Sequence, residues 1–122
     1  NLSHKERAID QMYLGVHADM QTAMYKCLFG TDESKAAGKK ALPKRMQDLL
    51  SAVESKLPKS GFILGGKGPS VGDLALFDAC SSAFPGVAKL GIDLKPYPKL
   101  NALIASVKMF APLKAYLDKR GF

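Results

Sequence analysis

The stretch Gly68-Pro69-Ser70-Val71-Gly72-Asp73-Leu74-Ala75-Leu76-Phe77-Asp78 turns a glycine-rich loop abruptly into an apolar run, and nothing else in the chain restricts the fold as tightly. It reads as a helix start with its own cap. Ser70 at the N-cap can accept from the Asp73 amide while the Asp73 carboxylate reaches back to the Ser70 amide, so two otherwise orphaned donors are satisfied reciprocally. Pro69 stiffens the approach and Val71 opens the first turn. Losing such a cap costs roughly 1 kcal/mol. Asp78 lies next to Phe77, and a charge among apolar positions is costly unless hydrogen-bond donors surround it. The expected role of Asp78 is therefore to tie this helix to neighbouring loop amides, so Ser70, Asp73 and Asp78 all read as structural residues.

The rest of the chain is punctuated in the same helical idiom. From Glu6 to Phe29 apolar residues recur at Ile9, Met12, Tyr13, Val16, Met20, Ala23, Met24, Cys27 and Leu28, the spacing of one helical face. Gly30-Thr31-Asp32 ends that helix, and Gly38 is expected to interrupt the next stretch. Leu42, Met46, Leu49, Leu50, Val53 and Leu57 mark a second helix, stopped by Pro58-Lys59-Ser60-Gly61. Phe62-Ile63-Leu64 is too short for a strand and reads as a loop pinned to the core. The capped helix is expected to run to about Pro85 or Val87, after which Gly91 to Tyr97 forms a connection. Pro98 suits the first position of a fourth helix carrying Leu100, Leu103, Ile104 and Val107. Pro112 similarly opens a fifth with Leu113, Tyr116 and Leu117. Five helices without a convincing strand make an all-α five-helix bundle, and its 122 residues suit a single domain over 1–122.

Composition narrows the function classes. Hydrophobic residues at 47% and charged ones at 24% are globular proportions, which argues against disorder. The apolar runs are too short to span a bilayer, and the polar opening Asn1-Leu2-Ser3-His4-Lys5-Glu6-Arg7 carries no signal-peptide pattern, so no membrane partner is expected. Asn1 in place of an initiator methionine suggests a piece of a longer protein or a processed product. Cys27 and Cys80 fall inside apolar helical patterns and read as buried free thiols, which favours a reducing, cytoplasmic setting. The net charge of +7, from 18 basic and 11 acidic residues, raises a nucleic-acid partner. The lysines are scattered, however, with no arginine-rich stripe interleaved with aromatics, so solvated helix faces or a small anionic ligand account for them better.

No self-contained active site emerges from the motifs. Gly61 followed by Gly66-Lys67 imitates a phosphate-binding loop, but Gly68 stands where Ser or Thr should ligate magnesium, and no strand precedes it. His4 and His17 have no partner at a metal-ligand spacing. No nucleophile elbow surrounds any serine. By spacing alone, Asp19 is an ordinary surface acid among Val16, Met20 and Ala23.

A resemblance adds what spacing cannot. Ser70-Val71-Gly72-Asp73-Leu74-Ala75-Leu76-Phe77-Asp78 resembles the capping box and following Asp of the all-helical C-terminal domain of cytosolic glutathione transferases. Glu6-Arg7-Ala8, Met12-Tyr13 and Ala18-Asp19-Met20 are similar to the opening helix of that domain in the alpha and sigma-like classes. Pro43-Lys44-Arg45-Met46-Gln47-Asp48-Leu49 resembles its second helix, and Phe62-Ile63-Leu64-Gly65-Gly66 the loop before the cap. Tyr97-Pro98-Lys99-Leu100 and Ala111-Pro112-Leu113-Lys114-Ala115-Tyr116-Leu117 resemble its last two helices.

The resemblance implies a domain that packs against a thioredoxin-like N-terminal domain, which in the family activates the glutathione thiol. This chain alone is therefore expected to be inactive, while the full-length protein conjugates glutathione to apolar electrophiles as a homodimer. Glutathione is a co-substrate, and no cofactor or metal is implied. Asp19 falls on the acid that reaches across the dimer to the γ-glutamyl amine, and Lys40 where the alpha class carries a basic residue facing the neighbouring subunit's glutathione. Tyr25 and Phe29 land on substrate-wall positions with Thr22 and Lys26 beside them, although both rings are equally compatible with the core. The alternative is a non-enzymatic scaffold, such as the transferase-like domain of an elongation factor gamma subunit or a tRNA-synthetase complex.

Overall fold

The computed structural model describes residues 1–81, 87 and 90–120, and within them the chain forms five helices and no strand. These are α1 (His4–Tyr25), α2 (Asp32–Lys56), α3 (Val71–Ser81), α4 (Pro98–Met109) and α5 (Ala111–Arg120). None of the described helices is long and apolar enough to cross a membrane.

Each start has a local cause. Ser3 caps α1 with a complete capping box, its hydroxyl accepting from the Glu6 amide and the Glu6 carboxylate accepting from the Ser3 amide, both at 3.1 Å. The apolar series of α1 does not reveal this cap, although its S-x-x-E signature is open to reading in the sequence. Thr31 caps α2 by accepting from the Ser34 amide, with Asp32 and Glu33 in the first turn favouring the positive end of the helix dipole. Pro98 opens α4 as expected, and Pro112 lies one residue inside α5. Tyr97 offers α4 no side-chain cap. Glu54 of α2 supplies one instead, accepting from the Lys99 amide at 2.8 Å and the Leu100 amide at 2.9 Å.

Two boundaries differ from expectation. Helix α1 stops at Tyr25 rather than Phe29. The Cys27 and Leu28 amides turn back to Met24 and Tyr25 in tighter bonds, and Gly30 at φ 110° reverses the chain. Helix α2 then begins at Asp32 and runs unbroken through Gly38 and Pro43. Gly38 is not a break; a Cβ there would lie 2.5 Å from the Lys26 carbonyl oxygen, so glycine is what lets α2 touch the end of α1. Pro43 removes the donor that would reach the Lys39 carbonyl, a loss softened because both residues are exposed and water can take the freed oxygen. For α3, the expected end at Pro85 lies outside the described residues, while Val87 is a buried turn residue.

The core gathers the apolar faces of the first four helices. Met20, Met24, Met46, Leu50, Leu76 and Leu100 are at most 1% exposed, and each such burial contributes about 1.5–3 kcal/mol. Phe77, Val107 and Leu117 form a second cluster that joins α3, α4 and α5, with Phe62 packed against it. The loop before α3 is pinned as expected. Phe62 and Ile63 pack on the core, and the Gly65 amide closes a turn onto the Phe62 carbonyl. Cys27 and Cys80 are both buried and free.

Candidate functional site

Two polar constellations stand out, and helix α1 contributes to both. The first is the start of α3. Asp73, fully buried, accepts from the Ile63 amide at 2.9 Å through Oδ1, and through Oδ2 from the Ser70 amide at 2.8 Å and the Ser70 hydroxyl at 2.9 Å. Half of the expected capping box is thus present. The other half is replaced: the Ser70 hydroxyl does not accept from Asp73 but sits 2.7 Å from Oδ1 of Asp10 on α1, which also accepts from the Gly72 amide at 3.0 Å. Asp10 is 4% exposed, and Gly72 leaves it room, since a Cβ there would lie 2.8 Å from Oδ1. A carboxylate from another helix therefore does the capping. Burial, with Asp73 adding to it, pushes the nearby Tyr13 hydroxyl above its ordinary value, so this tyrosine stays neutral.

Asp78 corrects an expectation. Among the described residues it ties no loop amide. Its Oδ2 meets Nε2 of His17 at 2.9 Å, and its side chain is 55% exposed. Five residues past Asp73 turns the side chain about 140° round the helix, away from the capping loop and toward the flank of α1. Asp10 and His17 share the stripe of α1 that carries Tyr13, Met20 and Met24, and polar residues on that stripe were the available signal that both have partners on another helix.

The second constellation is the seam between antiparallel α1 and α2. Met12 meets Lys56, Asp19 meets Arg45, and Lys26 touches Gly38, so positions seven apart on α1 face successive positions backward along α2. Between the last two contacts lies a cleft of about 250 Å³ lined by Asp19, Thr22, Ala23, Lys26, Gly38, Ala41, Leu42 and Arg45. A shallower groove of about 400 Å³ continues past Lys26, Gly38 and Ala41 to Phe29, Ser34 and Ala37. The floor is small and apolar and the rim carries charge.

Asp19, Thr22, Lys26 and Phe29 thus come together along one opening. Asp19 Oδ2 lies 4.0 Å from Arg45 Nη2, with both side chains more than half exposed, so the pair is loose and open to solvent. Lys26 has no carboxylate partner among the described residues. Thr22 lines the cleft and donates its hydroxyl to the Ala18 carbonyl at 2.9 Å. Tyr25 and Phe29 are 38% and 61% exposed, which removes them from the core; their rings meet edge to face at 5.8 Å. Lys40 does not line the cleft. It is exposed on α2, and the cation beside Asp19 is Arg45, which spacing did not single out because its partner lies on a different helix.

Burial disfavours the thiolate at both cysteines. Burial pushes the Cys80 thiol up to about 12, and it raises Cys27 despite the opposing influence of Lys39. Among the described residues no group of His, Cys, Asp and Glu could hold a metal.

A protein-family model described as the C-terminal domain of glutathione S-transferase matches residues 18–120. No curated protein and no solved structure matches the chain significantly.

Proposed function

The chain belongs to the glutathione S-transferase C-terminal domain family, and from that premise we propose that in its full-length protein the part of the α1–α2 seam around Asp19 and Arg45 faces the neighbouring subunit and holds the γ-glutamyl end of that subunit's glutathione. The observation that carries this reading is the open Asp19–Arg45 pair at the mouth of the cleft. A γ-glutamyl group ends in an ammonium and a carboxylate on one carbon. Asp19 accepts from the ammonium and Arg45 donates to the carboxylate, both as charge-assisted bonds. Because the two side chains are held loosely, a zwitterion can enter between them without first breaking a tight, desolvated ion pair.

The electrophile belongs further along the same opening. Phe29 in edge-to-face contact with Tyr25, together with Thr22 and the stem of Lys26, supplies the wall, while Lys40 adds positive potential on the exposed side of α2. With both cysteines kept as thiols, the sulfur nucleophile is glutathione itself, its thiolate generated by the thioredoxin-like domain that the family supplies. The residues of this chain position the co-substrate; they do not ionise it.

In the full-length enzyme, Asp19→Asn and Arg45→Gln should each raise KM for glutathione about tenfold with kcat nearly unchanged, the loss of one charge-assisted bond in ground and transition state alike. Unaltered KM in both variants would remove the seam from the site. The scaffold reading has one observation in its favour, the exposed Lys39 and Lys40 on α2 without carboxylate partners among the described residues. Retention of a translation partner after RNase treatment, without retention on glutathione resin, would favour it.

A further inference from the structure

Of the five methionines, Met20, Met24 and Met46 are at most 1% exposed, whereas Met12 and Met109 are 37% and 67% exposed. The two sulfurs that solvent reaches have different surroundings. Lys56 Nζ stands 3.9 Å from Met12 Sδ, reaching from the last turn of α2 to α1, and Lys56 has no carboxylate partner among the described residues. Met109 has no such cation beside it among the described residues.

From this geometry we propose that Met12 is an oxidation site at which Lys56 directs the oxygen of hydrogen peroxide to one face of the sulfur. A thioether is a weak acceptor, so the ammonium is only lightly engaged and can donate instead to the peroxide. The Sδ lone pair attacks the nearer peroxide oxygen and the oxygen–oxygen bond breaks. The departing oxygen takes a proton from Lys56 and leaves as water. The hydroxysulfonium returns its proton to the lysine, so sulfur is oxidised by two electrons, the peroxide is reduced by two, and the ammonium is restored. The product is a chiral sulfoxide whose oxygen faces Lys56. A contact to a weak acceptor becomes a charge-assisted bond across the seam. Oxidation here tightens the junction of α1 and α2, the reverse of what it does in a core.

The test treats the protein with hydrogen peroxide and assigns the sulfoxide epimers at each methionine with the two epimer-specific sulfoxide reductases. Met12 should show one epimer in about tenfold excess and Met109 an even mixture. Lys56→Met should abolish the bias at Met12 and leave Met109 unchanged, while Lys56→Arg keeps it; Lys56 is exposed, so these variants should fold. In a Met109→Leu background, oxidation should raise the thermal midpoint by about 2 °C. An even epimer mixture at Met12, a bias that survives Lys56→Met, or a midpoint that falls on oxidation overturns the proposal.

Discussion

Asp10 and Asp19 sit on the same helix nine residues apart, and they live in opposite physical regimes. Asp10 is 4% exposed, accepts from the Gly72 amide and shares the one hydroxyl proton of Ser70 with Asp73; Asp19 is more than half exposed and rests 4.0 Å from a guanidinium. At the start of α3 every buried polar side-chain atom has a partner, so removing one group strands the others in a medium that cannot solvate them. Along the seam, water substitutes for any partner that is lost. The first region holds the fold together. The second keeps its charges loosely paired and open to solvent.

That contrast can be broken at either end. Asp73→Ala strands the Ile63 and Ser70 amides and should cost about 4 kcal/mol. Urea unfolding measures it, and a loss below about 1 kcal/mol would mean that the α3 start is not a rigid region. Gly38→Ala should cost about 2 kcal/mol by forcing α2 off the Lys26 carbonyl, which would show that the seam is soft at its side chains and not at its backbone crossing. A pH series isolates the buried thiol of α3. The fold raises Cys80 from 9.0 to about 12, so its contribution is complete below pH 9.0 and is lost as the pH climbs toward about 12, where the folded thiol ionises as well. Cys80→Ala should lack that decline; an identical pH profile would assign it to other groups. Smallest of all, Asp19→Asn should alter stability by no more than about 0.5 kcal/mol, and a larger loss would move Asp19 from the ligand to the fold.

Much of the architecture was legible because its causes are local. The apolar series from Leu42 to Leu57 is buried at every position named for it, and the Phe62-Ile63-Leu64 loop is pinned where its glycine flanks implied. The errors also have local explanations. Gly38 looks like a break if glycine is weighed only by helix propensity, and becomes part of a helix once the Lys26 backbone is seen to need the space. Phe29 continues the apolar pattern of α1, yet the turn at Gly30 places it outside the core. The candidate site was legible only through the resemblance and one residue at a time. Asp19, Thr22, Lys26 and Phe29 were each named from it and lie along adjoining openings, while Arg45 came into view beside Asp19 only when α1 and α2 were laid side by side.

By itself the sequence determined which side of each helix turns inward, because an amphipathic stripe repeats every 3.6 residues, and it determined a start only where the cap is local, as at Ser3 and Thr31. Only the tertiary structure decided which carboxylate meets which donor: Asp10 with Gly72, Glu54 with the start of α4, His17 with Asp78, Arg45 with Asp19. Periodicity says that a face is covered and not what covers it. Those partners lie between 26 and 62 residues apart, and their pairing depends on how helices cross.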